Sequence, residues 1–173
     1  MVGSSVVPPY AGPDDWARFV AQVVAVPGGP FLWLAPPRDD GYGQFWVDNR
    51  PFRAHRWAWM AWHGPLAAGT VVRHRCDEPL CVPTTREAVL EHLAVGTQAD
   101  NVVDRDTRGR GARVRWGLRG WAVDRRGMAE RSRALHQAVT AALAAGATPA
   151  DLPAVIASVS AAGATLPGQA ALF

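Results

Sequence analysis

The chain has 173 residues, 49% of them hydrophobic and 19% charged, with a formal net charge of +3 and two cysteines. That length holds one domain with a substantial core and excludes two of ordinary size, and the composition excludes a disordered chain. No apolar run approaches the ~20 residues of a membrane span, so a transmembrane helix is excluded as well.

Residues 1–30 are read as a lead-in and one helix. The start, MVGSSVVPPYAGP, lacks the basic opening and unbroken apolar core of a secretory signal, so a cytoplasmic protein is expected. In a reducing compartment two cysteines suit metal ligation better than a disulfide. DDWARFVAQVVAV reads as a short amphipathic helix opened by acidic residues and stopped by Gly28, Gly29 and Pro30. Turn signals at Asp40-Gly41 and Asp48-Asn49 among aromatic runs predict a β-hairpin region across about 31–54. A helix over about 55–62 follows, ended by Gly64 and Pro65. Trp46, Trp57, Trp59 and Trp62 crowd this region and are expected to pack in the core, with stacking on a base as the functional alternative.

GTVVRHRC predicts a strand and LEHLAVG a second one. TQADNVVDRDTRG then predicts a helix, with Thr97 as N-cap and Asp100 three residues on. Residues 111–127 read as an arginine-rich linker, residues 128–165 as two helices, and residues 166–173 as a tail. Leu135, Val139 and Leu143, then Leu152, Val155, Ile156 and Val159, keep helical spacing, with Thr148 and Pro149 as N-cap and first residue. His136 is expected on a helix surface.

Chemistry concentrates between these elements. Cys76, Cys81 and His92 offer three soft ligands of the kind that bind tetrahedral zinc, with His55, His63 and Asp77 as candidates for a fourth. A buried, metal-free cysteine pair is the alternative. His74 at a strand end and Asn101 on the following helix could supply the base and the hard-cation ligand that phosphodiester hydrolysis needs. From Arg105 to Arg133 there are ten arginines against Asp106, Asp124 and Glu130. Such a block suits bidentate contact with nucleic-acid phosphates, or else a solvated linker.

AHRWAWMAWHGPLAAGTVVRHRCDEPLC followed by HLAVGTQADN resembles the HNH, or His-Me finger, endonucleases of phage and actinobacterial type, with spacing similar to the His-Cys box homing enzymes. The likeness runs from about Trp33 to Arg110. It implies an α+β fold: a ββα-metal finger within residues 31–110, with a preceding hairpin and helix and two C-terminal helices. It implies that His74 is the general base, that Asn101 binds catalytic Mg2+ or Mn2+, and that Cys76, Cys81 and His92 bind structural Zn2+. Arg53, Arg56 and Arg73 would then stabilise the pentacovalent phosphate, and Arg53, Arg105, Arg108, Arg110, Arg113 and Arg115 would contact DNA. This chain departs from the family pattern in three places. It has no Asn-Pro after the second cysteine and a longer run to the histidine; Pro30 and Phe31 stand where relatives carry Cys-Trp; and Arg73 stands where an aspartate is common.

The expected function is a metal-dependent DNA endonuclease acting in restriction of foreign or modified-base DNA, ahead of clamp-coupled repair and of homing. The rivals are a non-catalytic, zinc-stabilised DNA-binding module and an RNA-directed nuclease. Double-strand cleavage would need a homodimer or two events. Gln169, Leu172 and Phe173 resemble the tail peptide with which bacterial repair proteins dock on the sliding clamp, the bland reading being a frayed end.

Overall fold

The computed structural model describes residues 6–107 and 125–164, without the side chains of 104–107, 125–126 and 163–164. Arg108, Arg110, Arg113 and Arg115, the side chain of Arg105, and the tail residues Gln169, Leu172 and Phe173 lie outside the described residues.

Helix α1 (Pro13–Val20) opens on Pro13 with Asp14 and Asp15 in its first turn, where the helix dipole favours negative charge. It ends sooner than its sequence suggests. Val23–Ala25 form strand β1, which pairs antiparallel with β2 (Phe31–Trp33), Val23 opposite Trp33. The apolar run there is rich in β-branched residues, whose stiff side chains suit a buried strand as well as a helix face. Residues 31–33 therefore belong to this ribbon, and the hairpin expected across 31–54 is confined to β3 (Gln44–Val47) and β4 (Arg50–Arg53). Its turn is Asp48-Asn49, both at positive φ (48° and 59°), as a two-residue type I′ hairpin requires.

Helix α2 (Ala54–His63) follows directly. Its inner face meets an aromatic core centred on Phe19, whose ring lies 4.4 Å from Trp57, 5.0 Å from Phe45 and 5.4 Å from Trp33. Trp57 is buried, and Trp59 and Trp62 are half-buried against this core, as expected. Trp46 is the exception: it lies on the outer face of the hairpin opposite Pro51 and is 53% exposed.

Strands β5 (Val71–His74) and β6 (Leu93–Gly96) pair antiparallel, His74 opposite Leu93, and α4 (Gln98–Thr107) packs against both. This is a ββα unit. Leu90–His92 are not part of the second strand, because the long connection holds a helix, α3 (Arg86–His92), capped by the Thr85 hydroxyl accepting from the Ala88 N–H. At α4 the Thr97 hydroxyl accepts from the Asp100 N–H while the Asp100 carboxylate accepts from the Thr97 N–H at 2.6 Å, the predicted capping box.

Helix α5 (Arg125–Ala144) and helix α6 (Leu152–Ala164), preceded by the 3-10 turn Pro149–Asp151, pack on each other. Leu135, Val139, Leu152 and Val159 are buried, and Leu143, Val155 and Ile156 pack around them. α5 also sits on the loop before the hairpin. A Cβ at Gly41, whose φ is +85°, would stand 2.8 Å from the Ala129 Cα, so glycine is what permits this approach. His136 is half-buried rather than on an open helix surface: its Nε2 donates to the Leu34 carbonyl at 2.9 Å, and Arg133 donates to the Asp39 carbonyl at 3.1 Å. Among the described residues no helix is long and apolar enough to cross a membrane.

Candidate active site and metal centre

β5 delivers His74 at its last residue, and the adjoining backbone fixes its ring. The Nε2 atom lies 2.9 Å from the Cys81 carbonyl oxygen. A carbonyl can only accept, so Nε2 carries the hydrogen and the ring's lone pair is on Nδ1. The ring is packed by His55 at 4.5 Å between centroids and by Tyr42, nearly parallel at 5.9 Å. Burial pushes the His74 pKa down to about 4, against the Cys81 hydrogen bond and the nearby Asp77 charge, which favour protonation. At neutral pH the imidazole is uncharged.

Asn101 lies in the first turn of α4, half-buried, with its N–H on the Thr97 carbonyl at 3.2 Å. The ββα unit thus carries both His74 and Asn101. The three arginines read as phosphate ligands each make contacts within the chain. Arg53 is paired with both carboxylate oxygens of Asp40 and lies over the Tyr42 ring. Arg56 donates to the Thr70 carbonyl at 2.6 Å, tying α2 to the entry of β5. Arg73 crosses Gly96, where a Cβ would stand 2.9 Å from Nη2, and reaches the Asp100 carbonyl at 3.4 Å. Arg53 keeps 38% of its side chain exposed.

Cys76, Cys81 and His92 converge: their ligand atoms lie within 4.8 Å of one another. Two thiols and an imidazole form the donor set of a soft or borderline cation, so the residues fit zinc. The hydrogen bond from Cys81 pulls Cys76 down to about 6 and pushes Cys81 up.

None of His55, His63 or Asp77 joins this cluster as a fourth ligand. His55 packs on His74, His63 lies against the Trp59 ring, and Asp77 acts on His74. Phe31 instead places its ring edge-on to His92 at 5.8 Å. The position before the tryptophan is therefore filled by an aromatic ring that borders the cluster without offering a donor.

Two features hold the loop. Residues 80–82 run as an added edge on β2, with Trp33 N–H on the Leu80 carbonyl at 2.9 Å and Val82 N–H on the Phe31 carbonyl at 2.6 Å. The second is Glu78, which is buried. Its carbonyl accepts from Cys81 N–H at 2.9 Å, and its carboxylate accepts from Leu80 N–H at 3.2 Å and from Arg131 of α5 at 2.5 Å. Sequence reading singled out neither Glu78 nor Arg131, and it passed over Tyr42 except as part of a hairpin. The acid within CDEPLC was the one local signal for this brace.

Comparison with known proteins bears on this segment. Residues 52–103 match the family model described as HNH endonuclease, as the motif predicts. Protein 7.7 of Escherichia phage T7 is 36% identical over 81 residues, covering 47% of this chain and 58% of that protein. Protein 2.8 of the same phage is 30% identical over 95 residues, covering 54% of this chain and 60% of that protein. The similarity therefore spans about three-fifths of each phage relative. No solved structure matches.

Proposed function

From the HNH endonuclease match across residues 52–103, we propose that this protein is a metal-dependent DNA endonuclease whose general base is His74. The observation that carries the reading is the His74 ring: Nε2 bound to the Cys81 carbonyl and the imidazole neutral, so that Nδ1 holds the basic lone pair. Nδ1 takes a proton from water, whose oxygen attacks phosphorus, and the 3′ oxygen leaves to give 5′-phosphate and 3′-hydroxyl ends. Mg2+ or Mn2+ held by Asn101 and phosphate oxygens supplies charge neutralisation at that leaving oxygen when bound. Arg53, once drawn from Asp40, and Arg56 and Arg73 border the phosphate. Arg105, Arg108, Arg110, Arg113 and Arg115 track the DNA backbone, which makes binding salt-sensitive and largely independent of sequence.

Zn2+ at Cys76, Cys81 and His92 fixes the loop whose Cys81 carbonyl orients the base. Restriction of foreign or modified-base DNA in the cytoplasm is the biological role proposed. One centre nicks; cutting both strands takes two copies or two events. The tail residues Gln169, Leu172 and Phe173 are kept as a clamp-docking peptide, which deletion of 169–173 tests by clamp co-elution.

The reading is tested by plasmid cleavage with Mg2+ or Mn2+, comparing the wild type with His74→Ala and Asn101→Ala on methylated and unmethylated DNA. Loss of cutting in both variants is expected, and unequal rates on the two plasmids support restriction. Wild type and variants that bind DNA equally and never cut it would instead make the protein a zinc-stabilised binding module.

A further inference from the structure

The β3–β4 hairpin carries one large side chain that neither the core nor the mechanism uses. Trp46 is 53% exposed, whereas the other five described tryptophans are buried or half-buried. A single exposed apolar residue is ordinary on a protein surface, so its setting has to carry the argument. Phe45 faces the core at 2% exposure, which fixes the register of the ribbon and turns its neighbour Trp46 outward. Val47 and Arg50 flank the two-residue turn, so Trp46 and Pro51 form the next, non-hydrogen-bonded pair. Proline needs no N–H at such a position and gives the indole a rigid cross-strand neighbour. Arg18 of α1 donates to the Trp46 carbonyl at 3.1 Å and ties the strand to the helix. A flat aromatic face is thus held out on a stiff support.

That face leads back to the hydrolytic centre. Gln44 and Arg53 are the pair two residues back along the ribbon, on the side of the sheet that carries Trp46 and Pro51 and ~7 Å from them. The Arg53 guanidinium lies 5.1 Å above the Tyr42 ring, and Tyr42 stacks on His74 at 5.9 Å. At the ~3.4 Å per nucleotide of duplex DNA, a strand held at His74 passes the indole within a few nucleotides. Charge on this face is balanced: Arg18 pairs with Asp15 and Arg53 with Asp40, while exposed Arg38 and Arg50 stand against Asp39 and Asp48. A surface of balanced charge is poorly suited to track phosphates, but an aromatic plane on it suits the π-face of a base. Within an intact duplex each base is covered by its neighbours, so the base that meets Trp46 has to be out of the stack.

We propose that Trp46 stacks on an unpaired base a few nucleotides from the cut phosphate, making single-stranded or locally opened DNA the preferred substrate of this centre. This rests on the reading of the protein as a DNA endonuclease. Arg53 joins the two ends of the contact, beside the phosphate at one end and in the row that leads to Trp46 at the other.

The test uses the His74→Ala chain, which leaves DNA uncut, titrated with a fluorescent single-stranded oligonucleotide and with the duplex of the same sequence. Adding Trp46→Ala should weaken single-strand binding by about tenfold to a hundredfold, the range of one base–aromatic stack, and duplex binding far less. The slope of affinity against salt should stay the same, because no phosphate contact is lost. Trp46→Phe, which keeps a π-face, should recover most of the affinity, and Trp46→Leu, apolar without one, should not. In the active enzyme cutting single-stranded circular DNA, Trp46→Ala should lower kcat/KM through KM. Unchanged single-strand affinity in Trp46→Ala overturns the proposal, as does an equal loss on strand and duplex, or full affinity in Trp46→Leu. A Trp46→Ala chain that binds DNA normally but passes from dimer to monomer assigns the face to a second copy and overturns it too. Should Trp46→Ala lose stability in urea, Trp46→Phe and Trp46→Leu decide by the same criteria. Trp46-dependent binding by a wild type that never cuts overturns the endonuclease reading alone; a wild type that binds no DNA overturns both.

Discussion

Replacing Arg131 by methionine should loosen the metal loop from a distance. Glu78 and Arg131 are 53 residues apart in sequence and meet at 2.5 Å, with 7% and 23% of their side chains exposed. Methionine leaves the Glu78 carboxylate buried with, among the described residues, the Leu80 N–H to satisfy it. Breaking a buried pair in this way costs about 3–5 kcal/mol. The partial exposure of Arg131 puts the expected loss near the lower end, roughly 3 kcal/mol. That is a large share of the stability of ~5–15 kcal/mol typical of a domain.

The loss should be visible in urea denaturation followed by tryptophan fluorescence, since Trp16, Trp33 and Trp57 are core residues. In a double-mutant cycle, Glu78→Gln should be less costly in the Arg131→Met background than alone, because the neutral amide no longer strands a charge. The loop should respond as well. The Glu78 carbonyl holds the Cys81 N–H, and the Cys81 carbonyl holds His74. Zinc should therefore pass more readily to a competing chelator, and plasmid cleavage should slow. A stability change below about 1 kcal/mol, the range of exposed ion pairs, with zinc retention unaltered, would refute the reasoning.

Three further outcomes are expected. Gly41→Ala forces a Cβ against the Ala129 backbone at a positive φ, so it should destabilise by about 1–3 kcal/mol and increase hydrogen exchange along α5; an unchanged urea midpoint would show that α5 does not need this approach. Cys76→Ser and Cys81→Ser should each abolish stoichiometric zinc, measured by metal analysis after gel filtration, with Cys81→Ser the more damaging because its side chain is fully buried. Asp151 sits below the ordinary carboxylate value of 3.8 because the Thr148 N–H and hydroxyl bond its carboxylate. A depressed carboxylate adds stability that is complete above the ordinary value and fades as pH falls through the folded value. Thermal melts of Asp151→Ala should then converge on the wild type below about pH 4.

Much of the site could be read directly because its signals are local. The spacing of Cys76, Cys81 and His92, the strand that ends at His74, the Thr97 and Asp100 box and the Thr148 cap each depend on a few neighbouring residues and their hydrogen-bonding chemistry. The Asp48-Asn49 turn is of the same kind, since the type I′ geometry selects those residues. Ambiguity entered where one pattern serves two periods: the valines at 23–26 satisfied a helix face until β2 offered them a partner.

Tertiary structure decided everything that required two distant segments to meet. His55 could have been a zinc ligand, a core residue or a phosphate contact from its sequence position, and only the packing of α2 on β5 sets its ring on His74. Phe31 closes the side of the metal cluster because residues 80–82 pair with β2. His136 looked like a surface residue of an isolated helix and became a donor to Leu34 when α5 docked. The Glu78 to Arg131 pair exists only when the C-terminal helices lie on the metal loop. A hydrogen bond within a turn is encoded by its own residues; a partner 53 or 102 residues away is set by the closure of the whole chain, which no local pattern records.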